Sequence, residues 1–137
     1  VKENLITGGY VLPRTSESQR LEHVFEIFPR LYERANQLAG SLSGGEQQML
    51  AFGRAIMLKP RVMLIDEISL GLMPSVINEC YAVLENLRSQ NIAVILVDQN
   101  SDAALAFADK AIWLETGYVK WQGKAKHCPL LKESIVS

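Results

Sequence analysis

Three features that would define other classes of protein are scarce in this sequence: long apolar runs, an excess of one charge and paired cysteines. No apolar run approaches the ~20 residues that a membrane-crossing helix needs, and the first residues lack the apolar stretch of a signal peptide. The 14 basic and 15 acidic residues nearly cancel, so nucleic acid is not an expected partner. Cys80 and Cys128 lie far apart, without the spacing of a zinc site or a disulfide framework, which fits a reducing cytoplasm.

The first part of the chain is predicted to be helical after an irregular start. Residues 1–16 suggest a short apolar stretch, a turn at Gly8 and Gly9 and a polar loop, with no core strand. Apolar residues then recur at the spacing of one helical face and predict a helix over 17–28, which Pro29 ends; they are Leu21, Val24, Phe25 and Phe28. A weaker helical stretch over 29–37 follows, and a third helix begins near Ser43 and is broken at Pro60.

The rest of the chain alternates between strands and helices. Residues 62–65 and 92–97 are unbroken apolar runs, typical of strands covered on both faces, and an apolar stripe over 76–87 predicts a helix between them. This order predicts a parallel, right-handed βαβ unit. A short helix over 102–108 and a tail helix over 129–135 flank a hairpin, with strands over 111–115 and 118–122 joined by a turn at Thr116 and Gly117. Trp113 and Trp121 fall in its two strands. The fold class predicted is α/β.

A candidate anion site occurs where the third helix begins, at residues 42–48 with the sequence LSGGEQQ. Two glycines let a ligand approach the backbone, Ser43 supplies a hydroxyl, and a helix N-terminus concentrates free N–H donors and positive dipole. The same residues also fit an ordinary helix start, with Ser43 as N-cap and Glu46 as its capping-box partner. The local sequence leaves both interpretations open.

Two adjacent carboxylates end the first apolar strand. Asp66 and Glu67 follow residues 62–65, at the end of a strand where α/β sheets bind ligands. Asp66 would hold Mg²⁺, through water because Mg²⁺ gives up its hydration shell reluctantly. Glu67 would orient or deprotonate an attacking water molecule. Two solvated acids at the end of a strand are the alternative.

Together, these motifs and their spacing resemble the ATPase subunits of ABC transporters. The stretches LSGGEQQ, MLAFGRAIMLKP, RVMLIDE and SLGLMP follow one another as the signature, Walker B and D-loop sequences do in that family. The stretches VKENL, FPRLYER and ILVDQN are most similar to the ATPases of branched-chain amino acid importers, with importers of urea or short amides as nearby alternatives. The resemblance implies a partial P-loop NTPase fold with a helical signature subdomain. Residues 1–42 would belong to that subdomain, and residues 43–137 to the α/β core with its C-terminal β-hairpin.

The resemblance also implies distinct roles for the site residues. Two ATPase subunits, of like or unlike chains, would close head to tail on ATP, so the signature residues would act in trans on the nucleotide of the other subunit. Asp66 with Mg²⁺, Glu67 and Gln99 would act in cis. The implied trans nucleotide-binding residues are Ser43, Gly44, Gly45, Glu46 and Gln47, and the D-loop that couples the two sites is Ser69, Leu70, Gly71 and Leu72.

Three departures from the family pattern bear on these roles. Ile68 stands where most relatives carry proline after the catalytic glutamate. Gln99 stands where many carry a histidine that contacts the γ-phosphate, although a neutral amide can still donate a hydrogen bond. No GxxxxGK[ST] phosphate loop (Walker A) and no Q-loop occur in the 137 residues, so the chain alone is expected to have no ATPase activity.

More than one class of function stays open. In the first, the chain is the C-terminal part of an importer ATPase on the cytoplasmic face of the membrane, which couples ATP hydrolysis through integral permease subunits to uptake of branched-chain amino acids. In the second, it is a non-catalytic module that supplies its signature loop in trans. Other roles of ABC ATPases are a third. Arg30 and Arg34 could contact the permease, although solvated surface charges are the simpler interpretation.

Overall fold

The fold is described by a computed structural model for residues 1–69 and 71–133. Leu70 of the predicted D-loop and the last part of the predicted tail helix lie outside the described residues. The pattern of contacts divides the chain into two units, Val1–Met63 with Leu72–Val94 and Leu64–Gly71 with Ile95–Ser137. Across 1–69 and 71–133, no helix is both long enough and apolar enough to cross a membrane.

The first unit is mainly helical. Its helices α1 to α5 and two 3-10 turns are Lys2–Gly8, Arg14–Ser16 (3-10), Glu17–Ile27, Pro29–Glu33, Ala39–Ser41 (3-10), Gly44–Ile56 and Pro74–Ser89. Helices α2 and α4 begin within a residue of their predicted starts, because capping residues and apolar periodicity are local signals.

Helix α1 was missed, and the prediction of an irregular start is wrong. Seven residues are too few to show a helical period, and an isolated helix this short is unstable in water. Tertiary contacts hold it: Leu5 is fully buried, and the Lys2 N–H donates to the Ala35 carbonyl at 2.9 Å. Helix α1 is therefore stabilised by its tertiary packing, which the apolar periodicity of the sequence cannot predict.

Helix α4 approaches its neighbours closely through glycines. A Cβ atom built on Gly53 would lie 2.7 Å from Leu5 Cδ2 of α1 and 3.0 Å from Val24 Cγ1 of α2. One built on Gly8 would lie 2.5 Å from the carbonyl oxygen of Arg54. The surrounding buried side chains include Leu5, Val24, Phe28, Leu31, Leu50, Phe52, Ile56 and Met57. Missing side chains at two glycines thus set how near α1 and α2 come to α4.

Strands β1 (Val62–Asp66) and β2 (Ala93–Val97) pair to form a two-stranded sheet. In the sequence, β1 precedes α5 and β2 follows it. At the start of the pair the Ala93 N–H donates to the Arg61 carbonyl at 3.0 Å, and at its end the Glu67 N–H donates to the Val97 carbonyl at 2.7 Å. The two strands therefore run in the same direction, and the predicted parallel βαβ order is confirmed.

The expectation that both faces of these strands are covered is wrong. Burial alternates along β1, where Met63 and Ile65 are buried while Leu64 is 74% exposed. In β2, Ile95 and Val97 are 56% and 59% exposed. An unbroken apolar run shows that every side chain suits burial. It does not say which element covers each face, and within the described part of the chain these outward side chains stay in solvent.

The second unit continues with α6 (Ser101–Phe107), β3 (Lys110–Glu115), β4 (Tyr118–Lys124), a 3-10 turn (Ala125–His127) and α7 (Leu130–Glu133). The predicted hairpin is confirmed, with Trp113 opposite Trp121 in an antiparallel register. Thr116 and Gly117 have φ angles of 47° and 81°, the pair of positive values that a two-residue type I′ turn requires. A small core of Leu105, Ala125 and Cys128 packs beside this hairpin with Trp121.

The close approach of α1 to α4 can be tested at Gly8. Alanine favours a helix over glycine by about 1 kcal/mol, but its Cβ would meet backbone atoms of Arg54 at 2.5 and 2.8 Å. We expect Gly8→Ala to lower the free energy of unfolding in urea by about 1–3 kcal/mol. Gly40→Ala is the matched control because nothing lies within 4 Å of its added Cβ. A Gly8→Ala protein at least as stable as the original would contradict this packing.

Candidate functional site

The signature loop starts α4 with a complete capping box. Ser43 Oγ accepts a hydrogen bond from the Glu46 N–H at 3.4 Å, and Glu46 Oε2 accepts one from the Ser43 N–H at 2.9 Å. Glu46 is buried, whereas Ser43 and Gly44 are exposed. The capping interpretation is therefore confirmed, and it leaves the exposed N-terminus of a 13-residue helix open to an anion.

The two glycines of the loop differ in the space around them. A Cβ built on Gly44 would meet nothing within 4 Å, so this position is open. A Cβ built on Gly45 would lie 2.9 Å from Val76 Cγ1 and 3.1 Å from Val76 Cγ2, on the first turn of α5. Only Gly44 has the free space that the sequence prediction assigned to a ligand.

Gln47 holds the loop from its other side. Its amide Nε2 donates to the Leu42 carbonyl at 3.0 Å, and its backbone N–H donates to the Ser43 carbonyl at 2.8 Å. The side chain thus spans the residue before the cap and the first turn after it. Among the five predicted nucleotide-binding residues, Glu46 and Gln47 make side-chain hydrogen bonds within the loop; Glu46 is buried, Gly45 is half-buried, and Ser43, Gly44 and Gln47 are exposed.

Sequence reasoning named Arg34 only as a candidate contact to the permease and missed its place beside the signature loop. Arg34 follows α3, and its Nε lies 2.5 Å from Glu46 Oε1. Hydrogen bonding from the Ser43 backbone, and next from the Arg34 side chain, holds the pKa of Glu46 below its usual value of 4.5, although burial opposes the shift. The two residues are 12 positions apart in different elements, so no local pattern could have paired them.

The second candidate site lies at the carboxyl ends of β1 and β2. Gln99 Nε2 donates to Glu67 Oε1 at 2.6 Å, so the structure brings the two predicted catalytic residues together. Glu67 has a φ of 51°, in the left-handed region that few non-glycine residues adopt. Its N–H bond to Val97 fixes this turn directly after the strand.

The residues that follow Glu67 are held by the neighbouring strand end. Ser69 Oγ donates to Asp98 Oδ1 at 2.6 Å, and the Asn100 N–H donates to the same oxygen at 3.0 Å. Ile68, in the position of the family proline, is only 1% exposed. The remaining D-loop residues are Leu70, which lies outside the described residues, Gly71 with a φ of 72°, and the half-buried Leu72.

The acidic residues here suit a cation that keeps most of its own ligands. In residues 1–69 and 71–133, no group of three or more histidine, cysteine, aspartate or glutamate side chains is arranged to hold a metal ion. Asp66 is exposed at the strand end beside Glu67. Mg²⁺ is commonly bound by one or two carboxylates together with water and substrate phosphates. Asp66 fits that mode of binding.

Comparison with known proteins identifies the class of this fold. The solved cbiO1 chain of Clostridium perfringens, part of the ABC transporter complex cbiONQ, matches with a TM-score of 0.81 at 22% identity, covering 96% of this chain and 53% of that one. The ABC transporter family profile matches residues 1–69. The chain belongs to the ABC transporter family.

Two curated relatives are amino acid transport ATP-binding proteins. The high-affinity branched-chain amino acid transport ATP-binding protein BraG of Pseudomonas aeruginosa is 48% identical over 119 residues, which are 87% of this chain and 51% of BraG. The probable branched-chain amino acid transport ATP-binding protein LivF of Archaeoglobus fulgidus is 33% identical, over 91% of this chain and 53% of LivF. The chain spans about half the length of these relatives.

The different surroundings of the two loop glycines predict different costs of substitution. We expect Gly45→Ala to lower the free energy of unfolding by about 1–2 kcal/mol, because the stiff, β-branched Val76 cannot turn aside. Gly44→Ala, the control, should change stability by less than about 0.5 kcal/mol. Urea unfolding measures both. Gly45→Ala should cost clearly less when Val76→Ala is already present, and an unchanged cost would refute the contact.

The lowered pKa of Glu46 predicts how stability depends on pH. The folded carboxyl group binds a proton less readily than the unfolded one, so its contribution is fully present above the usual pKa of 4.5 and is lost as pH falls through the lowered pKa. The stability advantage over Glu46→Gln should therefore hold at neutral pH and shrink as the pH falls below 4.5. Glu22→Gln, on the exposed surface of α2, is the control. A difference in the free energy of unfolding between the original protein and Glu46→Gln that stays constant as the pH falls would contradict the prediction.

Proposed function

We propose that this chain is part of the ATP-hydrolysing subunit of an importer for branched-chain amino acids. The observation that carries the proposal is the Glu67–Gln99 contact of 2.6 Å at the ends of two parallel strands. Such a position is where α/β sheets carry their reactive groups. The 48% identity to BraG over 87% of the chain supports the amino acid substrate class.

Hydrolysis needs a positioned base and a means of orienting the phosphate. Gln99 holds Oε1 of Glu67, which leaves the other carboxylate oxygen to orient the attacking water and accept its proton. The same amide carries a second N–H that can donate to a phosphate oxygen. Asp66 would hold Mg²⁺ through water, and the ion when bound offsets the charge of the phosphates.

The signature loop would serve a second ATPase subunit. The exposed N–H groups at the start of α4, together with Ser43, suit the γ-phosphate of a nucleotide bound to that subunit. Closure of the two subunits on ATP would then move integral permease subunits, with the ATPases on the cytoplasmic face of the membrane. The exposed apolar positions Leu64, Ile95 and Val97 support a chain that works inside a larger ATPase domain.

A non-catalytic module is the second candidate. The intact capping box supports a loop that can act in trans, and the 137 residues contain no phosphate-loop sequence to hold ATP in cis. In this case the chain would complete another subunit's ATP site, and Glu67 would have no role in turnover. Importers of urea or short amides keep the mechanism and change the transported molecule. Other roles of ABC ATPases keep the fold and change the task.

Glu67→Gln separates catalysis from assistance in trans. In the purified complex that contains this chain, we expect the substitution to lower ATP turnover by roughly 100-fold or more, since it removes the base but keeps the shape of the side chain. Glu115→Gln, which removes an exposed acid of the β3–β4 hairpin, should leave turnover unchanged. The 137 residues alone should show no turnover above their own Glu67→Gln variant.

The outcomes discriminate between the candidates. Full turnover of the Glu67→Gln complex would exclude the catalytic role and favour the module. Uptake of radiolabelled leucine by vesicles carrying the complex, unaffected by excess urea and abolished by Glu67→Gln, is the result expected of the importer. Competition by urea or acetamide in place of isoleucine would reassign the substrate.

A further inference from the structure

The signature loop contains a charge that should hinder its proposed role. Glu46 lies in the first turn of α4, where the helix dipole and free N–H groups would attract a triphosphate. A carboxylate in the same turn repels an arriving phosphate, and the repulsion is stronger in a partly buried site than in water. Since several contacts lower the pKa of Glu46, the group is ionised at neutral pH. The loop therefore needs a counter-charge.

Arg34 supplies that charge from outside the loop. Its Nε contacts Glu46 Oε1 at 2.5 Å, while Glu46 Oε2 accepts hydrogen bonds from Ser43 N at 2.9 Å and from Ser43 Oγ at 3.0 Å. Both carboxylate oxygens are thus occupied by donors of the protein. With Arg34 on one oxygen, the other is directed at the backbone and hydroxyl of Ser43.

The same contacts set the orientation of the Ser43 hydroxyl. It donates to Glu46 Oε2 at 3.0 Å and accepts from the Glu46 N–H at 3.4 Å. A phosphate that takes the hydroxyl proton must compete with Glu46 for it. Arg34, by offsetting the charge of Glu46, weakens that competition as well as the direct repulsion.

We propose that Arg34 is a positioning residue of the signature loop: it neutralises and orients Glu46, so that the exposed Ser43 and Gly44 can receive the triphosphate of a nucleotide. The inference rests on the proposed function, because it assumes that ATP reaches this loop. A purely structural ion pair is the competing explanation. The Arg34 side chain is 35% exposed but that of Glu46 only 11%, so the loss of Arg34 can also lower stability, and the thermal midpoint is measured beside the KM for that reason.

A double-mutant cycle tests this role in the purified complex that contains this chain. Arg34→Met keeps the length of the stem and removes the charge, which leaves Glu46 uncompensated. We expect the KM for ATP to rise about tenfold, a size typical of coupled charge pairs, with kcat within about twofold. In Arg34→Met/Glu46→Gln the KM should return to within about twofold of Glu46→Gln alone, because no charge is left to offset.

Matched variants separate the possible failures. Arg14→Met, which removes an exposed positive charge from the same unit, should leave the KM unchanged. Arg34→Lys keeps the charge and should raise the KM less than Arg34→Met does. If the methionine variant does not fold, the KM of Arg34→Lys is compared with that of the original protein instead. Gly44→Asp adds a negative charge where nothing lies within 4 Å, and tests whether ATP reaches the loop at all.

Each outcome has one meaning. A raised KM in Arg34→Met that Glu46→Gln reverses supports the proposal. A fall in kcat and thermal midpoint with unchanged KM, or a KM that Glu46→Gln does not restore, overturns it in favour of a structural pair. If Gly44→Asp also leaves the KM unchanged, the proposed function of the signature loop fails, whereas a raised KM in Gly44→Asp alone rejects only the role of Arg34.

Discussion

Close packing around helix α4 is the constraint on which the first unit depends. At Gly53, side chains of three other helices approach the α4 backbone: Leu5 of α1, Val24 of α2 and Leu31 of α3. A Cβ at this position would lie too close to Leu5 and Val24, at 2.7 and 3.0 Å, and would hold α1 and α2 away, whereas Leu31 at 3.6 Å would be in ordinary contact. Because α3 ends at Glu33, directly before Arg34, the packing of α3 against α4 also decides whether Arg34 can reach Glu46. The packing of the core therefore also sets the geometry of the signature loop in this unit.

The two candidate sites use backbone geometry in different ways. The signature loop relies on a helix end, where unsatisfied N–H groups point outward and side chains only shape and cap them. The strand-end site relies on a residue in an unfavourable conformation, Glu67 at a φ of 51°, held by the bond from its N–H to Val97 and by Gln99. The first arrangement suits binding an anion. The second suits holding a reactive carboxylate in one position.

Electrostatics links these local arrangements to function. A helix N-terminus attracts anions. An acidic side chain within its first turn is compatible with phosphate binding only if other groups of the protein bind the carboxylate and offset its charge. Glu46 meets that condition through the Ser43 backbone and Arg34. The capping box and the proposed anion site are thus compatible descriptions of the same residues, because Glu46 is buried while Ser43 and Gly44 remain exposed.

The sequence by itself determined the class of protein, the order of βαβ elements, helices α2 and α4 and the position of the hairpin turn, and it offered the capping box as one of two interpretations of residues 42–48. These follow from signals within a few residues of each other: apolar period, capping residues, turn glycines and contiguous motifs. Only the tertiary structure decided the existence of α1, the exposure of one face of β1, the contact of Gly45 with Val76 and the pairs Arg34–Glu46 and Glu67–Gln99. The members of these two pairs are 12 and 32 residues apart. Whether such side chains meet depends on how whole elements pack, which no local pattern encodes.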